Sequence, residues 1–218
     1  MKATVLFSGG KDSGLVTLLL EPFFDDIELV TFSFGSHDSW RPAAQAAREM
    51  GHPHRVVEFA EEVLGVALQR LRAAGYPGPA LNYVHSIAVE TLAQEAEFVA
   101  DGTRRDDRAP VMSYNEIRSL EDRRKMHYLR PLAGLGGKAI RAMASRHLEY
   151  VEELSEMYPA SDFEVGLRHS LADRWGQAEV NRIFPANHTH TRITRRKRNV
   201  QEVEGQEDQA CQSISTES

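Results

Sequence analysis

Six consecutive residues, Ser8-Gly9-Gly10-Lys11-Asp12-Ser13, bring two glycines, a cation, a carboxylate and two hydroxyls together directly after the apolar run Ala3 to Phe7. The glycines let the backbone turn tightly and present its N–H groups to an anion. A helix beginning near Asp12 aims the positive end of its dipole at the same point. Lys11, Ser8 and Ser13 add charge and donors. The spacing is not that of a Walker loop, which needs Ser or Thr where Asp12 stands, nor of G-x-G-x-x-G. A carboxylate beside phosphates is repelled unless it holds a cation, so Asp12 reads as a magnesium ligand or as a group that orients the loop. The bland alternative is a glycine turn with an ordinary helix cap.

Three further clusters carry chemistry. Asp101-Gly102-Thr103-Arg104-Arg105-Asp106-Asp107 follows the short apolar run Phe98 to Ala100. Arg130-Pro131-Leu132 is followed by Gly136-Gly137-Lys138 and by Ile140-Arg141. Near the C-terminus, Asn187-His188-Thr189-His190-Thr191-Arg192 precedes the basic run Arg195-Arg196-Lys197-Arg198. Two histidines at i, i+2 lack a nearby third ligand for a metal, so phosphate or tRNA contact through Arg192, Arg195, Arg196, Lys197 and Arg198 is the stronger functional reading. The structural alternatives are a polar surface turn for the first, a surface lysine on an amphipathic helix for the second and a solvated edge beside a disordered tail for the third. His37, Asp38 and Trp40 follow the second strand as candidate substrate contacts or as a plain loop.

The elements that must position these groups alternate. Ala3 to Phe7, Ile27 to Phe34, Arg55 to Phe59, Phe98 to Ala100 and Met126 to Leu132 read as strands. Between them, helices are expected over Asp12 to Leu20, Pro42 to Met50 and Glu61 to Ala73, from a cap at Asn82 to Glu95, and after Gly137 through Met143. Gly75 to Pro79 reads as a loop. The alternation predicts an α/β fold, a doubly wound five-stranded parallel sheet joined by right-handed crossovers, with a small C-terminal helical appendix. His147 to Tyr158 and Val165 to Arg174 are the predicted appendix helices. The expected organisation is a nucleotide-binding domain over residues 1–145, the helical and basic appendix over 146–200 and a disordered tail over 201–218.

Composition narrows the class. The chain has 218 residues, 41% hydrophobic and 27% charged, which suits one sizeable core. A net charge of −6 gives no general polyanion signal. The single cysteine, Cys211, excludes an intrachain disulfide and a Cys-based zinc site, and a reducing cytoplasm is the expected compartment. No apolar run approaches the ~18 residues of a membrane span, and the glycines after Phe7 interrupt any signal-peptide core, so Met1 is the expected mature start.

Ser8 to Ser13 after the first strand resembles the PP-loop, or N-type, ATP pyrophosphatase superfamily of adenine nucleotide alpha hydrolase-like folds. Gly102-Thr103-x-x-Asp106-Asp107 resembles that superfamily's second nucleotide loop, and Pro131-Leu132 with Lys138-x-x-Ile140-Arg141 its third motif. Together they are most similar to the branch of the sacrificial sulfur transferase LarE and the ammonia-dependent synthetases. The resemblance covers about residues 1–145. It implies ATP and Mg2+ as cofactors, attack of an acceptor oxygen on the α-phosphate, loss of pyrophosphate, and displacement of AMP by a second nucleophile. Lys11, Asp12 and Lys138 are the implied catalytic groups, with Lys138 reaching the phosphates. Ser8, Gly9, Gly10, Lys11, Asp12, Ser13, Gly102, Thr103 and Arg104 would hold the nucleotide, with adenine against Thr31, Phe32 and Ser33. Thr103 would donate to a phosphate and Arg104 or Arg105 neutralise the transition state, while Asp106 or Asp107 shares magnesium with Asp12.

Sulfur-inserting relatives that carry a persulfide use cysteines in the stretch before the fourth-strand helix or near the second loop. Here those positions hold none, which disfavours a protein-borne persulfide and leaves ammonia, an amine or external sulfur as nucleophile. The expected function is adenylation of an acceptor, either a tRNA base or a small carboxylate or carbonyl compound. The rival is a regulator that binds ATP or AMP without turnover. Self-association is left open.

Overall fold

Along the first strand, Ala3, Val5 and Phe7 are fully buried against one layer and Leu6 against another, so both faces of the strand must be covered. That is the signature of a central strand in a parallel sheet. The computed structural model describes residues 1–35, 38–154, 161–185 and 189–197. Within them β1 (Lys2–Leu6), β2 (Asp26–Ser33), β3 (His54–Glu58), β4 (Phe98–Ala100) and β5 (His127–Leu129) form one sheet in the order β3-β2-β1-β4-β5, every pair parallel. The order reverses between β1 and β4, opening a crevice at their carboxyl ends, where α/β sheets bind ligands.

One face is covered by α1 (Lys11–Leu20), α2 (Arg41–Met50) and α6 (Gly137–His147), which bury Leu15, Val16, Met50 and Ile140 against Val5 and Leu29. The other carries α4 (Gly78–Leu92) and α5 (Tyr114–Arg124), closing over Val30, Phe32 and Val99. Outside α4, a third cluster joins α3 (Glu61–Ala74) to α7 (Phe163–Trp175) and α8 (Gln177–Ile183) through Leu68, Leu71, Leu167 and Leu171. Each fully buried leucine of this kind contributes on the order of 2 kcal/mol of transfer free energy, so α7 and α8 are tied to the domain by their apolar faces.

The helix expected over 147–158 is a correction. Leu148–Leu154 is a strand, β6, paired antiparallel with β7 (Thr189–Arg196) in a two-stranded ribbon. Leu148 is buried and Tyr150 packs beside it on the same core, while Val151, which a helical face would have buried, is 36% exposed. The partner strand begins some forty residues later, and a local window cannot see it. The Gly75 to Pro79 loop is also shorter than expected, because Gly78 and Pro79 open α4. Asn82 therefore sits inside that helix, where its side chain accepts from the Val111 amide at 2.9 Å instead of capping. Helix α5, absent from the sequence expectation, starts at a capping box between Ser113 and Glu116.

Candidate functional site

The loop after β1 is built on close backbone approaches. Gly9 has φ of +76°, and a Cβ there would lie 2.8 Å from the Ala43 Cα of α2. Gly102 opens the second loop where a Cβ would lie 3.0 Å from the Ser13 nitrogen, so the two loops meet backbone to backbone. Helix α1 has no side-chain cap of its own: Gly10 occupies the N-cap. A residue 180 positions away fills that role. The Lys11 amide donates to Thr191 Oγ1 at 3.1 Å, and the Ile193 amide donates to the Gly9 carbonyl at 2.9 Å. The C-terminal ribbon is thus stitched to the phosphate loop.

Two cavities adjoin at Ser8, Asp12, Ser161 and Asp162. The first, about 210 Å³, has an apolar wall of Phe7, Val30, Phe32, Pro110 and Phe163, and a polar wall that includes Ser13, Gly102 and Thr103. The second, about 410 Å³, has Lys11, Arg104 and Arg141 on one side and Glu152, His190 and Thr191 of the ribbon on the other. The first space suits a flat, apolar-faced group, and the second sets Lys11, Arg104 and Arg141 among Asp12, Glu152 and Asp162.

Of the expected residues, Ser8, Gly10, Lys11, Asp12, Ser13, Phe32, Gly102, Thr103, Arg104 and Asp107 line these cavities. Gly9 lies beneath them. Ser33 and Thr31 are buried in the sheet instead: Ser33 accepts from the Gly35 amide at 3.1 Å, and Thr31 donates to the Phe7 carbonyl at 2.6 Å. Lys138 is exposed in the first turn of α6 and lines neither cavity; Arg141, one turn on, does. Arg105 lies against Gly136. Asp38 pairs with Arg41 at the surface, with Arg41 over the Trp40 ring, and none of these lines the cavities. His37, Asn187, His188, Arg198, Cys211 and the tail over 201–218 lie outside the described residues.

The acidic groups divide into two kinds. Asp107 holds Arg104 through three bonds, from its amide at 2.7 Å, Nε at 2.9 Å and Nη2 at 2.6 Å, so both carboxylate oxygens are taken. Asp106 accepts from the Gly137 amide at 3.0 Å, which with Arg104 holds its carboxyl below the usual range. Arg104 Nε is 3.7 Å from both Asp12 and Asp106, and although burial opposes it, Asp107 raises its already high pKa. Asp12 differs. Its Oδ1 is buried with no hydrogen bond among the described residues, 3.2 Å from Lys11 Nζ. No group of three His, Cys, Asp or Glu among the described residues is arranged for a metal. An oxygen-seeking Mg2+ fits Asp12 together with phosphate oxygens, and does not fit Asp107.

His85, Tyr128 and Asp162, not anticipated from the sequence, join Asp101 and His190 of the clusters above to complete the site. Asp101, fully buried at the end of β4, accepts from the Thr103 amide at 2.9 Å and from its hydroxyl at 2.7 Å. Its other oxygen receives the Tyr128 hydroxyl and lies 2.8 Å from His85 Nε2. Burial alone would push the Asp101 pKa up; the His85 and Tyr128 contacts outweigh it and hold the carboxyl low. Burial and the adjacent Asp101 charge push Tyr128 well above the ordinary phenol range, so it stays a donor. On the ribbon side, His190 Nδ1 lies 2.5 Å from Asp162 Oδ2. Burial disfavours its charge, but Asp162 prevails and raises its pKa. His85, Asp101 and Tyr128 come from α4, β4 and β5, and their sequence separations carry no motif.

The basic strand is largely committed. Arg196 makes a two-pronged contact with Glu21 at 2.6 and 2.8 Å, Arg195 pairs with Glu149, and Lys197 donates to the Ser145 carbonyl at 2.7 Å. No helix among the described residues is long and apolar enough to cross a membrane.

A family model described as a family of unknown function, DUF7411, matches residues 1–195. The chain belongs to that family. An uncharacterized protein of Methanocaldococcus jannaschii is 39% identical over 200 residues, 92% of this chain and 98% of its own. A crystal structure from the same organism, described as the "predicted subunit of tRNA methyltransferase", superposes with a TM-score of 0.84 at 38% identity, covering 92% of this chain and 100% of that one. A Staphylococcus aureus 7-cyano-7-deazaguanine synthase is 40% identical over 60 residues, 27% of each chain. The loop after β1 and the sheet order β3-β2-β1-β4-β5 are similar to those of PP-loop ATP pyrophosphatases.

Proposed function

We propose that the chain binds ATP with adenosine in the first cavity and the phosphates in the second, and activates an acceptor by attack on the α-phosphate. The observation that carries this reading is the meeting, at Ser8 and Asp12, of an apolar cavity with one into which Lys11, Arg104 and Arg141 converge, over the carboxyl ends of β1 and β4. Phe32, Val30 and Phe163 offer apolar surface to a base. Lys11, Arg104 and Arg141 offer positive charge where phosphates would follow.

In the reaction, an acceptor oxygen bonds to the α-phosphorus as the bond to the bridging oxygen breaks, and pyrophosphate leaves with that oxygen's electron pair. Lys11 and Arg104 stabilise the charge on the departing group. Arg104 is held in place for this by Asp107. Asp12 would hold Mg2+, which would supply Lewis-acid neutralisation of the phosphates. A second nucleophile, ammonia, an amine or external sulfur, then displaces AMP. Glu152 and His190 of the ribbon, with Asp162 at the head of α7, are proposed to face the acceptor, and a tRNA base or a small carboxylate or carbonyl compound is the proposed acceptor class. Lys138, exposed in the first turn of α6, is proposed to contact the phosphates only once they are bound.

The test is pyrophosphate release from ATP with cell extract, with and without added bulk tRNA, as acceptor source. Asp12→Ala should lose at least about tenfold in rate while remaining folded. Binding of ATP by both proteins with no pyrophosphate from either would favour the regulator instead.

A further inference from the structure

Thr103 has one hydroxyl proton, and its direction is fixed. The hydroxyl lies 2.7 Å from Asp101 Oδ1, which also takes the Thr103 amide. The other carboxylate oxygen is filled by the Tyr128 hydroxyl and approached by His85 Nε2. With donors on both oxygens, the buried Asp101 is ionised and can only accept. Thr103 must therefore donate inward, and what it presents to the cavity is a lone pair. A phosphate oxygen, itself an acceptor, gains nothing from that. Thr103 lines the apolar first cavity and is absent from the lining of the second, where Lys11, Arg104 and Arg141 gather.

We propose that Thr103 Oγ1 accepts a hydrogen bond from a ribose hydroxyl of the bound nucleotide, with Asp101 as the positioning residue that sets this polarity. The inference rests on the adenine-nucleotide reading above and reverses the expected role of Thr103 as a phosphate donor. His85 and Tyr128 serve it indirectly, by keeping the carboxylate charged and still at the junction of α4, β4 and β5.

Equilibrium binding of ATP, 2′-deoxyATP and 3′-deoxyATP to the full chain tests it. One deoxy analogue should bind the native chain about three- to tenfold more weakly than ATP. Thr103→Val should weaken ATP by a similar factor while leaving that analogue unchanged, and Thr103→Ser should restore the discrimination. Thr103→Ala replaces the valine variant should the latter not fold. Equal binding of all three nucleotides by the native chain overturns the proposal and leaves ATP binding intact. So does an equal loss for all three in Thr103→Val, which is the mark of a phosphate or packing role. Failure of the native chain to bind any of them overturns the nucleotide reading itself.

Discussion

The Lys11 amide at the head of α1 donates to the hydroxyl of Thr191, 180 residues away, at 3.1 Å. This bond satisfies a helix-terminal donor that Gly10 cannot cap, and it brings the last described strand into the site formed by the first loop.

Thr191→Val should therefore cost about 0.5–2 kcal/mol, the range for a lost helix cap. In a chain of this size that is a fall of roughly 1–8 °C in thermal midpoint. A bound phosphate can take over the orphaned amide, so the deficit should shrink when the melt is repeated with saturating ATP. An equal deficit with and without ATP would show that the amide does not face the ligand.

Gly102→Ala places a methyl 3.0 Å from the Ser13 nitrogen and 3.1 Å from the Asp12 carbonyl carbon. Backbone cannot swing aside as a side chain can, so the two loops must part, at a cost of about 1–3 kcal/mol. Denaturant unfolding should report the loss, and ATP affinity should drop with it. A variant as stable and as avid as the native chain would mean that the loops do not touch.

The His190–Asp162 pair gives stability a definite pH dependence. The folded pKa of His190 is raised, so the contribution is complete below the unfolded value of about 6.5 and is lost as pH rises through the folded value. Denaturant midpoints across pH 5.5 to 9 should fall with rising pH in the native chain. In His190→Gln that part of the slope should be missing.

Arg195 and Arg196 are bound to Glu149 and Glu21, and Arg196 also donates to the Met50 carbonyl at 3.2 Å. Neutralising both as Arg195→Gln and Arg196→Gln should lower stability and leave the salt dependence of any tRNA binding almost unchanged. If those side chains were neutralising phosphates, the slope of log K against log salt would fall by nearly one for each.

The five-stranded sheet was legible because each strand announces itself locally: Ala3 to Phe7 and Ile27 to Phe34 are apolar runs ended by polar or glycine positions. The first loop was legible for the same reason, since its glycines, cation, carboxylate and hydroxyls stand in six adjacent residues. Strand β6 was not, because Leu148 and Tyr150 need a partner some forty residues downstream to choose strand over helix. Helix α5 had a readable start at Ser113 and Glu116, obscured by how few apolar residues follow. The polarity of Thr103 was out of reach, because it is decided by Asp101 together with His85 and Tyr128, which stand 43 residues apart on separate elements.

The bond between Lys11 and Thr191 also sets an order of events at the ribosome. Chain growth at about 5–20 residues per second leaves the loop of β1 and α1 without its distant cap for roughly 10–40 s. During that interval the sheet can assemble from its own strands, but the second cavity lacks its β7 wall. A nascent chain halted before β7 should hence have its sheet formed and bind nucleotide more weakly than the full chain.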